Sequence, residues 1–259
     1  MKKYCLDLRV KALVKVNDKY IHIKLEAQDG KLPEMLPGQF VEIQTDTMSE
    51  GVPGPLLRRP ISINYADESE LWLLVAVVGQ GTRQLSRLKE GDLVSCLLPL
   101  GNGFTLPQSK DDKILLVGGG VGVAPLLYMG RKMKAMGCEP TFLLGARSGK
   151  DLLQMEEFEA CGRVFVTTED GTAGEKGFVT QHSILTQEKF TRISTCGPKP
   201  MMMAVARYAR ESQTPCEVSL ENKMACGLGA CLCCVEDTTE GHVCVCKDGP
   251  VIDIEKLKW

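Results

Sequence analysis

The chain has 259 residues and a formal net charge of −2, from 31 Lys and Arg against 33 Asp and Glu. That length predicts two domains or three small ones, with room for a sizeable core. The charge balance excludes a nucleic-acid binder working through bulk positive charge. The longest nearly apolar run, Ile114 to Met129, is glycine-rich and contains Pro125, so no membrane span is expected. The N-terminal MKKYCLDLRV lacks the apolar centre of a signal peptide, which predicts a cytoplasmic protein.

The N-terminal part reads as β structure. In Tyr20 to Ala27, Ile21, Ile23, Leu25 and Ala27 alternate with His22, Lys24 and Glu26, as in a half-buried strand. Phe40-Val41-Glu42-Ile43 follows a turn at Pro37-Gly38. Leu71 to Val78 is a continuous apolar run, and Leu93 to Leu98 is nearly one, closed by Pro99. Short strands between Gly/Pro turns predict a small antiparallel barrel or sandwich.

Beyond the polar stretch Pro107 to Asp112, strand-like and helix-like segments alternate. Ile114 to Val117, Thr141 to Leu144, Val164 to Thr167 and Ile193 to Thr195 read as strands. Val123 to Met136, Asp151 to Cys161 and Pro200 to Arg210 read as helices. This alternation predicts a doubly wound parallel sheet. The C-terminal remainder is rich in Cys and Gly and needs a staple such as a metal site. The expected domains are residues 1–107, 108–213 and 214–259.

Of the 12 cysteines, six lie between Cys226 and Cys246. In a reducing compartment such a cluster reads as metal-binding rather than disulfide-bonded. Cys226-x4-Cys231-x2-Cys234 matches the spacing of a plant-type 2Fe-2S site. Gly227 and Gly229 lie where a loop wrapping a cluster needs positive φ or close approach, and backbone N–H groups there can donate to sulfur. A zinc site with four cysteine ligands is the alternative, although zinc usually takes cysteine pairs with short, similar gaps. Cys233 adjoins Cys234, and the spacing alone selects Cys234. Cys244 and Cys246 would point the same way on a strand, so periodicity does not choose between them.

After the strand at Ile114 comes Gly118-Gly119-Gly120-Val121-Gly122-Val123-Ala124-Pro125. A glycine turn between strand and helix presents backbone N–H groups and a helix N-terminus to a pyrophosphate. Cys196-Gly197-Pro198 ends another strand, where open α/β sheets place ligands. In the first domain, Arg58-Arg59-Pro60-Ile61-Ser62 precedes Gly79-Gln80-Gly81-Thr82. An arginine beside a proline is a rigid fork for phosphate, and Gly81-Thr82 can add backbone and hydroxyl donors. Taken alone, Arg58-Arg59 is more often a solvated charge pair. The three histidines, His22, His182 and His242, form no recognisable catalytic set and are expected on strands or the surface.

The order R-P-x-S, G-T, G-G-x-G-x-x-P, C-G-P resembles the ferredoxin–NADP reductase superfamily of flavoproteins. The C-terminal C-x4-C-x2-C-x11-C-K-D-G-P-V narrows the resemblance to the electron-transfer subunits of dihydroorotate dehydrogenase B, over essentially the whole chain. The resemblance implies an N-terminal antiparallel FAD-binding β-barrel, an NAD-binding doubly wound parallel sheet, and a small 2Fe-2S domain. It implies that Arg59, Pro60, Ile61, Ser62, Val75, Ala76, Gly81 and Thr82 line the FAD. Gly119, Gly120 and Gly122 would approach the NAD pyrophosphate, with Cys196 and Gly197 near the nicotinamide. The implied cluster ligands are Cys226, Cys231, Cys234 and Cys246, the last because it directly precedes K-D-G-P. The implied partner is an FMN-containing dihydroorotate dehydrogenase catalytic subunit, in a heterotetramer of two plus two. Electrons would pass from its FMN through 2Fe-2S and FAD to NAD+ in pyrimidine biosynthesis. The wider superfamily has an aromatic residue where Ile61 stands. Alternatives are a ferredoxin-type reductase subunit with another redox partner, and a zinc-stapled non-enzymatic module. Arg147, after the second strand of the α/β domain, leans by itself towards NADP, whereas the resemblance leans to NAD. Glu169-Asp170-Gly171 reads as a solvated turn that could reach the adenosine end.

Overall fold

The structure, a computed structural model, describes residues 2–45 and 55–259. They fall into two compact units. One comprises Met1–Gly103, Asn222–Glu236 and His242–Pro250, and the other Phe104–Glu221, Asp237–Gly241 and Val251–Trp259.

In the first unit, β1 (Tyr4–Lys15), β2 (Tyr20–Ala27), β3 (Phe40–Ile43), β4 (Arg59–Ala66), β5 (Glu70–Ala76) and β6 (Leu93–Leu100) close into a barrel. Its order is β1-β2-β5-β4-β3-β6 and every pairing is antiparallel. Helix α1 (Gln80–Leu85) lies between β5 and β6 in the chain. Ile23, Leu25, Ile63, Leu71, Leu73 and Leu98 are among its fully buried apolar residues. Leaving water is what stabilises such side chains, at roughly 25 cal/mol per Å² of apolar surface.

Strands β1 and β4 go beyond the expected set. In β1, Leu8 and Val10 are buried while Asp7, Arg9 and Lys11 are exposed, a period-2 pattern cut short by a bulge between Val10 and Ala12. In β4 the proline argues against a strand, but Pro60 lies ahead of the stretch that pairs with β5 from Ile63 onward, so it needs no donor on that side. Pro99 does not close β6, which runs on to Leu100. The register slips between Phe40 and Glu42 opposite it, so Pro99 falls in an irregularity where the ladder needs no donor.

In the second unit, β7 (Ile114–Gly119), α2 (Val123–Ala135), β8 (Thr141–Ala146), α3 (Met155–Cys161), β9 (Arg163–Thr168), β10 (Glu175–Lys176), α4 (Ile184–Gln187), β11 (Arg192–Cys196), α5 (Lys199–Glu211) and β12 (Cys216–Ser219) follow in order. The C-terminal segment carries β13 (Val235–Thr238), β14 (Gly241–Cys244) and α6 (Val245–Asp248), which fall mostly in the first unit, and β15 (Val251–Asp253), in the second. The seven-stranded sheet runs β10-β9-β8-β7-β11-β12-β15, parallel except for β15. Its strand order reverses between β7 and β11, and α/β sheets bind ligands outside the carboxyl ends of strands at such a point. Helix α3 begins at Met155 rather than Asp151, because Gln154 takes a left-handed φ of 53° just before it. His182 is neither on a strand nor on the surface. It is 7% exposed, and its Nδ1 accepts from the Ile184 N–H at 3.0 Å.

Candidate functional site

The cysteine segment belongs to the same unit as the barrel. Gly227 (φ +66°) and Gly229 (φ +82°) carry the wrapping turns that a side chain would strain. A Cβ on Gly227 would lie 2.9 Å from Glu42 Cγ and from Leu100 Cδ1, so the loop lies directly on β3 and β6. The sulfurs gather as two pairs. Cys226 lies beside the Cys231 thiol, and Cys246 beside Cys234. Backbone amides surround them. Leu228 N–H donates to Cys226 Sγ at 3.4 Å, Gly229 N–H to Cys246 Sγ at 3.1 Å and Cys246 N–H to Cys234 Sγ at 3.3 Å.

These contacts set the charge of the donors. Partial burial pushes the Cys226 thiol up, but the N–H groups of Leu228, Cys231 and Ala230 and the Cys231 thiol outweigh it and hold Cys226 at about 6. Burial, then the hydrogen bond to Cys234, pushes Cys246 up to about 12. A bound cation reverses that second shift, because it replaces the proton on sulfur. Among the described residues, no three His, Cys, Asp or Glu side chains converge as one ion would require. Two thiol pairs under converging amides are a donor set suited to a binuclear cluster, with two thiolates for each iron.

Cys244 and Cys246 are separated by the change of element. β14 ends at Cys244 and α6 begins at Val245, so the two side chains do not share a strand face. Cys246 is fully buried beside Cys234, whereas Cys244 Sγ points at the Gly229 carbonyl oxygen, 3.8 Å away. Cys233 is exposed, as is Cys231.

In the barrel, Arg59, Pro60, Ile61 and Ser62 form the start of β4, and Val75 and Ala76 end β5. A Cβ on Gly81 would lie 2.4 Å from Arg59 Nε, so the guanidinium lies across the first turn of α1. This brings Arg59 and Gly81 side by side, while Arg59 Nη1 donates to the Leu57 and Arg58 carbonyls at 2.5 and 3.1 Å. The Thr82 hydroxyl is already engaged, accepting from the Val78 and Gly79 N–H groups at 3.0 Å each. Arg58 is a structural pin rather than a solvated charge. It donates to the Ser95 carbonyl at 2.7 Å, Ser95 Oγ at 3.0 Å, Gln44 Oε1 at 3.1 Å and the Glu42 carbonyl at 3.3 Å.

At the switch point of the sheet, Cys196 on β11 lies opposite Gly118 on β7. Gly120 (φ +55°) turns the chain into the short 3-10 turn that opens α2. A Cβ on Gly119 would meet Met201 Sδ at 2.7 Å, and one on Gly122 the Gly197 nitrogen at 2.5 Å. The two glycine turns are thus packed against each other at the strand ends. Cys196 is fully buried and its thiol is pushed up by burial and then by the charge of Glu221, so it stays neutral. Arg147 is exposed just after β8. Asp170 caps a local turn, accepting from the Thr172 N–H at 3.0 Å and hydroxyl at 2.7 Å.

Glu42 was not among the expected site residues. It is fully buried, and neither carboxylate oxygen has a hydrogen-bond partner. The sequence signal was an acid inside the otherwise apolar strand Phe40-Val41-Glu42-Ile43.

The model of the iron–sulfur cluster binding domain of dihydroorotate dehydrogenase B matches residues 221–258. That of the oxidoreductase NAD-binding domain matches residues 116–207. The dihydroorotate dehydrogenase B (NAD(+)) electron transfer subunit of Caldanaerobacter subterraneus is 40% identical, with 88% of each chain covered. That of Bacillus velezensis is 41% identical, over 85% of this chain and 86% of its own. A solved structure of an NADH-dependent reduced ferredoxin-NADP oxidoreductase, studied for flavin-based electron bifurcation, is 31% identical with a TM-score of 0.84. It covers 100% of this chain and 92% of its own. The ferredoxin reductase in carbazole 1,9a-dioxygenase, at 19% identity and a TM-score of 0.68 over 83% of this chain and 68% of its own, shares the fold. With its barrel, its nucleotide-type sheet and its paired cysteines, this chain belongs to the family of dihydroorotate dehydrogenase B electron transfer subunits.

Proposed function

We propose that the chain delivers electrons from dihydroorotate oxidation, carried out on an FMN-containing catalytic subunit, to NAD+. The observation that carries this reading is the loop of paired cysteines seated on the barrel strand next to the one that bears Arg59 to Ser62. When bound, a 2Fe-2S cluster exchanges single electrons, FAD one or two, and NAD a hydride, so the three together join one-electron to two-electron chemistry. The protein's part is to bind and orient. Cys226, Cys231, Cys234 and Cys246 would hold the cluster, and the N–H groups of Leu228 and Gly229 would lower the cost of its negative charge. Arg59, with Pro60, Ile61, Ser62, Val75, Ala76, Gly81 and Thr82, would hold FAD. Gly119, Gly120, Gly122, Cys196 and Gly197 would admit NAD at the switch point. No acid–base pair is needed, and His182 is tied into its own loop.

By cofactor, the chain then divides into residues 1–107 for FAD, 108–213 for NAD and 214–259 for the cluster. The partner would dock over residues 226–246, in a heterotetramer of two plus two, because a one-electron relay must lie near its donor. No helix among the described residues is long and apolar enough to cross a membrane. A second reading, a reductase subunit with another redox partner, draws on the NADH-dependent ferredoxin-NADP oxidoreductase that matches the whole chain.

The deciding experiment combines flavin, iron and zinc stoichiometry with reconstitution. The purified chain is expected to carry FAD and iron, and to restore NAD+-linked dihydroorotate oxidation to an FMN dehydrogenase subunit. Assembly without rescue would favour the second reading, and zinc without flavin would overturn both.

A further inference from the structure

Burying a carboxyl without a partner costs several kcal/mol even after relaxation, roughly 1–3 in mutational data and more for a charge. A strand position such as 42 could be filled by valine or leucine at no such cost. Glu42 is nonetheless there, 0% exposed, with both oxygens unpartnered.

Its surroundings indicate what it faces. Glu42 lies directly opposite Pro60 on β4, and Phe40 opposite Ser62, so these four side chains share one face of the sheet. That face carries two of the proposed flavin-lining residues. It is also the face covered by the cysteine segment. Glu42 Cγ lies against Gly227, and the Phe40 ring lies against Gly101 beside Pro250. The carboxyl therefore sits where the flavin-bearing strand meets the loop of the first cysteine pair. Burial, the largest influence, pushes the Glu42 carboxyl up to about 7; Arg58 and then Arg59 favour its ionised form, and Cys226 opposes it. Arg58 spends its donors on the Ser95 and Glu42 carbonyls, Ser95 Oγ and Gln44, and none on the Glu42 carboxylate.

From this geometry we infer that Glu42 is a positioning residue for the redox chemistry, a buried carboxyl beneath the cysteine loop that in its ionised form holds the cluster's reduction potential down. A charge in a water-poor site with no hydrogen bonds to disperse it acts strongly on its neighbours. Adding an electron to a cluster held by four thiolates makes an anion more negative, and a nearby carboxylate opposes that step. The inference rests on the proposed ligation of a 2Fe-2S cluster by Cys226, Cys231, Cys234 and Cys246.

The test is redox potentiometry of the cluster, read by EPR on the purified full chain, in the wild type, Glu42→Gln and Glu42→Asp. It is run at pH 9, so that the carboxyl is ionised throughout. Glu42→Gln keeps the shape and removes the charge, and the midpoint is expected to rise. Glu42→Asp keeps the charge and is expected to stay near the wild type. Glu42→Met, of similar length and apolar, should rise with Glu42→Gln and serves where the amide variant loads poorly. An unchanged or lower midpoint in a cluster-loaded Glu42→Gln overturns the inference. Loss of the cluster in both Glu42→Gln and Glu42→Met overturns it too, since Glu42 would then hold the loop rather than tune it. A wild type with no iron–sulfur EPR signal would instead sink the cluster assignment itself.

Discussion

A Cβ placed on Gly122 would lie 2.5 Å from the backbone nitrogen of Gly197. Two turns from separate strands, β7 and β11, are thereby locked together at the carboxyl ends of the sheet's strands. The contact is backbone against glycine, so neither partner can swing aside. Gly122→Ala should lose NADH binding while keeping visible flavin and cluster absorption. It should cost about 1–3 kcal/mol of stability, as overpacking does. NADH titration and urea unfolding check both parts, and unaltered NADH affinity would count against the assigned pyrophosphate site.

Cys246 and Cys244 have opposite environments, one buried against Cys234 and the other directed at a carbonyl. Cys246→Ser should abolish the cluster, read as iron content and EPR. Cys244→Ser should leave iron at two per chain, as expected of a binuclear cluster. Equal iron loss in both variants would mean that the choice of Cys246 is wrong.

Adjacent arginines should have separable effects. Arg58 bridges β3 and β6 through four oxygens. Arg58→Ala should therefore destabilise the barrel by about 2 kcal/mol or more, since hydrogen bonds from charged groups are worth roughly 1.5–3 each. Arg59→Ala should change stability little and weaken FAD retention on gel filtration. The reverse pattern would reassign the phosphate fork to Arg58.

Asp67 closes the β4–β5 turn. Slight burial raises its pKa, but the N–H groups of Ser69 and Glu70 and the hydroxyls of Ser69 and Tyr65 overcome this and bring it from 3.8 to about 2. A lowered carboxylate contributes stability above its unfolded pKa, and the contribution is lost as pH falls through the folded value. Asp67→Ala should lower the urea midpoint at neutral pH, and its deficit should shrink between pH 4 and pH 2. A deficit that persists unchanged below pH 2 would assign the loss to packing.

The local patterns were readable from the chain alone. Alternation marked β2, apolar runs marked β5, β7 and β8, and the succession of strand-like and helix-like segments added β9 and β11, because side-chain period follows directly from backbone geometry. The Cys226-x4-Cys231-x2-Cys234 spacing and the glycine turn at Gly118 to Gly122 are likewise local, so they named the chemistry before any fold was known. Tertiary structure decided what depends on pairing between distant segments. Pro99 continues β6 because a register slip on β3 faces it. Arg58 turns from solvated charge to pin because Ser95 and Gln44 come beside it. Cys246 separates from Cys244 because α6 begins between them. Glu42 gains a place in the redox chemistry only because Gly227, far away in sequence, closes over it. Spacing reports which groups are present, but burial and charge depend on what the folded chain lays against them.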